Sequence, residues 1–380
     1  LNSFGVPLVY CFCADYNESD GDGNTVAEKP ESPTPVRHGV RELVRLIEAV
    51  GATDVYWNKD PTPEGGARDA YRKDATRNAV RAHETQSSLL YDVGRIELST
   101  GFHGGHFGTL MPFLNQCKRS FGLPPRPTPY FETFQLLEET LPPESFGVGG
   151  LVDIDTGIHG SKLSTNLDDL KIIDIRGTQQ WDEPIRQRFP MSEQRAHDVM
   201  EHFVRSGMKR YETDRSRADI SDATSQLSPH LRLGTLSPNQ LYWRIEDSGL
   251  PYHDTKTLGR RLIWRDLAYF QLFVFPDMKT RCIRKHYEAM EWVSPDEEIR
   301  RFRAWKAGKT GYPIVDAAMR ELYTTGWMTQ SLRMVAASFL VEYLRVNWTK
   351  GCEWFHYTLV DADSAINAMM WQNAGRSGID

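Results

Sequence analysis

Apolar side chains recur every three or four positions through most of the second half of the chain, the spacing of amphipathic helices. The pattern starts at SEQRAHDVMEHFVRSGMKRY, from Ser192, and persists to the end. One such helix presents Met328, Leu332, Val335, Phe339, Leu340 and Leu344 as an inward stripe, with Arg333 on or beside it. A guanidinium held there needs an acidic partner or an anionic ligand. The first part reads differently. VPLVYCFC is an apolar run suited to a buried strand, HGVRELVRLIEAV has helical spacing, and TDVYWNK is a second strand. The predicted fold is therefore an α/β domain with a parallel sheet followed by an all-α domain, without a solenoid repeat.

Between the two, prolines in FGLPPRPTPYFETFQLLEETLPPES break regular structure and extend the backbone. The expected organisation is 1–121 for the α/β domain, 122–191 for a connector with short helical pieces, and 192–380 for the helical domain. Asp15 to Pro35 form a polar insertion rich in Gly, Pro and acids, read as a loop. Taken as a calcium loop from Asp15, it has Asp20 where Gly is needed and Val26 where a bidentate Glu is needed, so calcium is not expected. His103 and His106 sit in a Gly-rich loop without further ligands nearby and are read as loop histidines.

Composition narrows the class. At 380 residues, 40% of them hydrophobic and 25% charged, the chain is long enough for two cores. Five cysteines without paired metal spacing, and odd in number, argue against a secreted disulfide framework and point to a reducing, intracellular setting. No apolar run approaches a membrane span. The net charge of -6 discourages nucleic acid binding if spread evenly, yet from Lys256 to Lys350 basic residues exceed acidic ones by about seven. That surplus suits phosphate contact or, equally, a salt-bridged solvated surface.

Candidate chemistry lies in two segments. In DATSQLSPHLRLGTLSP, Ser228-Pro229 and Ser237-Pro238 each place a capping hydroxyl before a Pro at the first helical position, with Gly234 at a helix end. These are ordinary caps, or they open helix N-termini onto a pyrophosphate. In the last 76 residues, tryptophans, Arg333 and the Asp361-Ala362-Asp363 turn crowd together, the acids being explicable by themselves as Asx turns or N-caps.

The ordered set TGYP at Thr310 to Pro313, VDA at Val315 to Ala317, GWM at Gly326 to Met328, RMVAASFL at Arg333 to Leu340, DAD at Asp361 to Asp363 and N-x-x-x-WQ at Asn367 to Gln372 closely resembles the flavin-binding domain of the DNA photolyase and cryptochrome family. The likeness is strong from about Ser192 and weak before about Tyr130. It implies an FAD flavoprotein that absorbs blue light. Thr224, Ser225, Gln226, Leu227 and Ser228 then match the family's flavin-phosphate loop, and Tyr211 its upstream tyrosine. Arg265 and Arg333 become the arginines around the flavin, Asp361 and Asp363 the acids beside the isoalloxazine and ribityl region, and Asn367 the residue facing flavin N5. A neutral amide there accepts from a protonated N5 or donates to an unprotonated one; plant cryptochromes carry an acid instead. Trp371 and Trp348 match the inner members of the family's tryptophan triad, with Trp292 as candidate for the outer one and Trp305 as competitor.

The same resemblance assigns Arg261, Trp264, Gln330, Met334 and Asn373 to the substrate pocket. Here the chain departs from the pattern. Photolyases of cyclobutane pyrimidine dimers usually carry Glu where it has Arg261, Asn and Arg where it has Gln330 and Ser331, and Trp where it has Asn373. The class acting on (6-4) photoproducts carries His where it has Thr329 and Gln330. Two readings stay open: an enzyme passing an electron to a pyrimidine dimer in damaged or single-stranded DNA, or a photoreceptor signalling to a protein partner without repair. An α/β nucleotide-binding protein without flavin discards every later motif. Relative to the family the chain reads as a fragment, lacking the opening strand and the end of the flavin domain. The antenna pigment, lesion, oligomeric state and compartment (nucleus, plastid or cytoplasm) are left unspecified.

Overall fold

The computed structural model of the protein describes residues 40, 43–44, 47–48, 52–86, 88–97, 105–127 and 181–374. The VPLVYCFC strand, the polar insertion, His103 and most of the expected connector lie outside them. The chain forms two compact units, one of 1–59, 64–85 and 128–180, the other of 60–63, 86–127 and 181–380.

In the first unit, strand β1 (Asp54–Asn58), helix α1 (Pro63–Thr76) and strand β2 (Arg81–Thr85) follow in order. The strands pair in parallel with Asp54 opposite Arg81 and Asn58 opposite Thr85, which a helical crossover permits and a tight turn does not. The expected strand TDVYWNK is β1. Its partner RAHET lacks an apolar alternation and was not foreseen; it is tied instead by polar contacts, Asp54 accepting from Arg81 and meeting His83, both at 2.8 Å. Residues 40, 43–44 and 47–48 are helical, as HGVRELVRLIEAV predicts, with Val40 and Ile47 buried.

The second unit is helical: α2 (Leu110–Phe121), α3 (Glu183–Arg188), α4 (Glu193–His202), α5 (Met208–Asp214), α6 (Ser228–Leu233), α7 (Pro238–Glu246), α8 (Tyr252–Val274), α9 (Pro295–Lys306), α10 (Pro313–Thr325), α11 (Gln330–Ser338), α12 (Trp348–Thr358) and α13 (Ser364–Ala374). The division differs from the expected one, because 86–127 belong here. Leu89, Leu90, Tyr91, Phe107, Phe113 and Cys117 are buried in one core with Leu262, Leu267 and Phe270 of α8. The backbone N–H groups of Leu90 and Tyr91 donate to the buried Asp266 carboxylate at 3.2 and 2.8 Å. A second core gathers Trp305, Met319, Met328, Leu340, Trp348, Phe355 and Trp371 from α9 to α13.

Local chemistry explains the ends of these helices. Ser237 caps α7 in a full capping box with Gln240, as expected. Ser228 does not cap α6; it is the first helical residue, Leu227 precedes it in the cap position, and the Ser228 hydroxyl is spent on Asp361. Gly234 and Gly326 end α6 and α10 in the left-handed region, at φ of 78° and 67°. The stripe on α11 holds for Met328, Leu332, Phe339 and Leu340, but Val335 is exposed. Past Ser338 the helix continues as a π-helical turn from Phe339 to Tyr343, in which Phe339, Leu340 and Val341 are buried.

Candidate functional site

Two buried carboxylates organise the helical unit. The loop that carries them leaves α12 at Leu359 and is pinned when the Val360 N–H donates to the carbonyl of Gly326, at 2.8 Å. Gly326 belongs to the turn before α11, so the same turn that starts the Arg333 helix also sets the height of Asp361. Asp361 Oδ2 accepts from the Ser228 hydroxyl at 2.6 Å and from Arg333 Nη2 at 2.8 Å. Arg333 Nε donates at 2.9 Å to the carbonyl of Met328, which holds the guanidinium in register. The acidic partner that the Arg333 position demanded is thus Asp361.

Asp363 does two jobs. Its Oδ1 accepts the N–H groups of Ala365 and Ile366 at 3.1 and 3.0 Å, an N-cap for α13. Its Oδ2 accepts from Arg265 Nε at 3.3 Å and from the Tyr269 hydroxyl at 3.0 Å. Arg265 and Tyr269 stand one turn apart on α8, so one helix face delivers both. Burial is the main cause that raises the Tyr269 phenol well above its usual range, followed by the Asp363 charge, so it stays a donor. Sequence reasoning missed Tyr269, although its spacing from Arg265 was legible. It also missed the Arg232 guanidinium, which donates to the Ala362 carbonyl.

The 224–228 loop closes another side of this cluster through Ser228. Gln226 adopts φ of 52°, unusual for a residue with a Cβ, and its amide donates to the Ser221 carbonyl at 3.0 Å. Thr224, Ser225 and Gln226 line a cavity of about 200 Å³ together with Arg188, Arg195, His202 and His230. Arg265, Arg333, Asp361 and Asp363 do not line it, so the cavity adjoins only the loop half of the site. Tyr211 is buried against Phe203, and burial raises its phenol while nearby charges, Arg261 on α8 first among them, pull the other way.

Asn367 projects from α13 onto α12. Its Nδ2 donates to the Cys352 carbonyl at 2.9 Å and lies 3.4 Å from the Cys352 thiol. A carbonyl oxygen only accepts, so the amide orientation follows from the contact. Burial pushes the Cys352 thiol up to about 12, and it stays protonated beside the amide. Trp371 and Trp348 are both buried in the second core, whereas Trp292 is half-buried at its margin. Trp305, the competitor, is fully buried and in edge contact with Trp371 at 6.4 Å between ring centroids. Of the expected substrate residues, Trp264, Gln330 and Met334 are half-buried, while Arg261 and Asn373 are exposed.

Two orphaned atoms test whether a ligand such as FAD fits. Asp361 Oδ1 and Thr224 Oγ1 are buried with no hydrogen-bond partner, and buried polar atoms are rarely left so. An acceptor beside Arg333, and a hydroxyl at a helix-opening loop, suit a ligand bearing hydroxyl and N–H donors at one end and phosphate oxygens at the other. The donor set fits a flavin dinucleotide. No group of three or more His, Cys, Asp or Glu that could hold a metal occurs among the described residues.

An α/β piece ahead of a helical unit built round buried Arg–Asp pairs defines a class of two-domain flavoproteins. Residues 257–380 match the FAD binding domain of DNA photolyase, and residues 34–130 match the DNA photolyase family, which reaches well into the stretch where motifs are sparse. A deoxyribodipyrimidine photo-lyase from Agrobacterium fabrum is 32% identical over 345 residues, covering 90% of this chain and 65% of that protein. The crystal structure of a bacterial class III photolyase from Agrobacterium tumefaciens superposes with a TM-score of 0.68 at 28% identity, over 88% of this chain and 64% of that one. A Synechocystis cryptochrome shares the fold, with a TM-score of 0.64 at 22% identity over 88% of this chain and 65% of its own. The chain belongs to the DNA photolyase and cryptochrome family, and it spans somewhat less than two thirds of the length of these relatives.

Proposed function

We propose that the protein binds FAD in the helical unit and uses blue light to drive electron transfer to pyrimidine-dimer lesions in damaged or single-stranded DNA. The observation that carries this reading is the paired cluster Ser228–Asp361–Arg333 and Arg265–Asp363–Tyr269, with Asp361 Oδ1 buried and still lacking a donor. When bound, FAD supplies light absorption and one-electron chemistry.

The chain's own residues do the rest. Arg333 and Arg265 donate to the two carboxylates, so their acceptor oxygens are fixed in place before the ligand arrives. Thr224 to Ser228 and Tyr211 take the phosphate end. Asn367, its Nδ2 clamped by the Cys352 carbonyl, would have its amide oxygen left to accept from a protonated ring nitrogen of the flavin. Trp371 passes electrons inward from Trp348 and Trp292. Trp264, Gln330 and Met334 meet the flipped base.

A photoreceptor without repair is the second reading. Arg261 and Asn373 are exposed, the one without an acid and the other without an aromatic face, so two positions of the usual dimer pocket offer different chemistry. Chromophore release and chromatography test the first claim: FAD is expected, and a colourless protein that FAD cannot reconstitute ends the assignment. Illumination of the reduced protein with defined cyclobutane and (6-4) lesions, in single and double strands, tests the second. Restored thymines support repair. Normal flavin photoreduction with neither lesion repaired makes the photoreceptor the better reading.

A further inference from the structure

Arg265 faces two ways. On one side its Nε donates to Asp363 Oδ2 at 3.3 Å, and its guanidinium lies 5.5 Å from the centroid of the Tyr269 ring. On the other, its Nη1 donates to the backbone carbonyl of Ser88, 177 positions earlier in the chain. The bond to Asp363 is at the long end of the range for N–H to O contacts, so by itself it holds the planar guanidinium loosely. A second bond, from a different nitrogen to an acceptor on a different segment, fixes the plane. The place of the Ser88 carbonyl therefore decides how Arg265 meets Asp363.

That place is set by the residues after it. Leu89, Leu90 and Tyr91 are buried, and the N–H groups of Leu90 and Tyr91 each take one oxygen of the Asp266 carboxylate, Oδ1 and Oδ2 respectively. Asp266 is itself buried and adjoins Arg265 on α8. Two neighbouring helix residues thus grip one strap, Arg265 at its start and Asp266 at its end. Asparagine in place of Asp266 keeps one acceptor and sets its NH2 against the other N–H, so the carboxylate is matched to this pair of donors. Gln271, farther along α8, ties the same stretch of chain by donating to the Phe107 carbonyl at 3.0 Å. Its contact lies well beyond Ser88 and Arg265.

We propose that Asp266 is a positioning residue of the flavin site: it anchors the Ser88–Tyr91 strap, the strap orients Arg265, and Arg265 presents Asp363 to the ligand. The proposal rests on the FAD reading above. Asp266 acts through Arg265, so its effect on the ligand exists only while Arg265 is there to transmit it. The coupling also runs backwards. Whatever factor the anchored strap adds to FAD affinity, bound FAD returns to the anchoring of the strap.

The test uses the whole chain, stripped of flavin and titrated with FAD, together with Asp266→Asn, Arg265→Met, the double variant and Gln271→Leu. Kd is read by flavin fluorescence, and hydrogen exchange at Leu90 and Tyr91 is followed with and without FAD. Asp266→Asn is expected to raise Kd about five- to thirtyfold. Added to Arg265→Met, it is expected to raise Kd no further. Gln271→Leu, which loosens the same stretch away from Arg265, is expected to leave Kd within about twofold. In the unaltered chain FAD is expected to slow exchange at Leu90 and Tyr91, and this measurement decides alone if Asp266→Asn does not fold. Losses that multiply in the double variant, an equal loss in Gln271→Leu, or strap amides indifferent to bound FAD overturn the proposal while leaving the FAD reading intact. A chain that takes up no flavin overturns both.

Discussion

Asp361 carries two hydrogen bonds on one oxygen and none on the other. Asp361→Ala removes the proposed acceptor for the cofactor and leaves the Arg333 guanidinium half-buried with only the Met328 carbonyl. The expected loss of FAD affinity is about 1–3 kcal/mol, read as a rise in Kd by flavin fluorescence on titration into the stripped protein. Asp266 behaves differently. Burial pushes its carboxyl up to about 7, although the N–H groups of Tyr91 and Leu90 and the Arg265 charge pull the other way. The folded state therefore binds this proton more tightly than the unfolded one, whose carboxyl has the ordinary value of 3.8. Stability from this group is full below about 4 and is lost as pH rises to about 7. Urea unfolding across that range should show a downward slope with pH that Asp266→Asn lacks. An equal slope in the variant would assign it to other groups. Asp361 and Asp363 were readable as site acids only through the family resemblance, since acids in a turn after a helical run are explained by themselves as Asx turns or caps; that Asp363 caps α13 while Asp361 does not was unreadable, since only the path of α13 separates them.

Helix α12 meets α13 at Gly351, and a Cβ there would collide with the Trp371 ring and with Leu340. Gly351→Ala is expected to cost about 1–3 kcal/mol in thermal or urea unfolding, since the core has no slack to absorb a methyl group. The same change should slow flavin photoreduction by displacing Trp371, whereas Gly259→Ala, which meets nothing within 4 Å, should leave it unchanged. Helix caps show how far element-level reading goes. Ser228 and Ser237 have the same local signature, Ser before Pro, and local chemistry predicts two caps. Only Ser237 makes one, because Asp361 lies close enough to take the Ser228 hydroxyl. Val335 likewise fits the helical stripe but is exposed.

At the scale of the whole chain, the charge is -6 while residues 256–350 are net basic. If that region faces phosphates, log affinity for single-stranded DNA should fall linearly with log salt, by about 0.7 per phosphate contacted. A flat salt dependence in a mobility-shift or anisotropy titration would instead mark a solvated, salt-bridged surface. Arg281 with Glu288, and Arg300 and Arg301 with Glu297, show that part of the surplus is already spent within the protein. Helical periodicity, Gly and Pro punctuation and the ordered motifs from Thr310 to Gln372 determined the fold class, the family and most of the residues of the Arg–Asp cluster, because those features are local in sequence. The tertiary structure alone decided that 86–127 pack on α8, that Asp361 pairs with Arg333 and Asp363 with Arg265, and that Trp305 meets the Trp371 ring edge-on. Each of these is a contact between segments tens to hundreds of residues apart, and a sequence pattern records which face of an element is buried but not which distant side chain it is buried against.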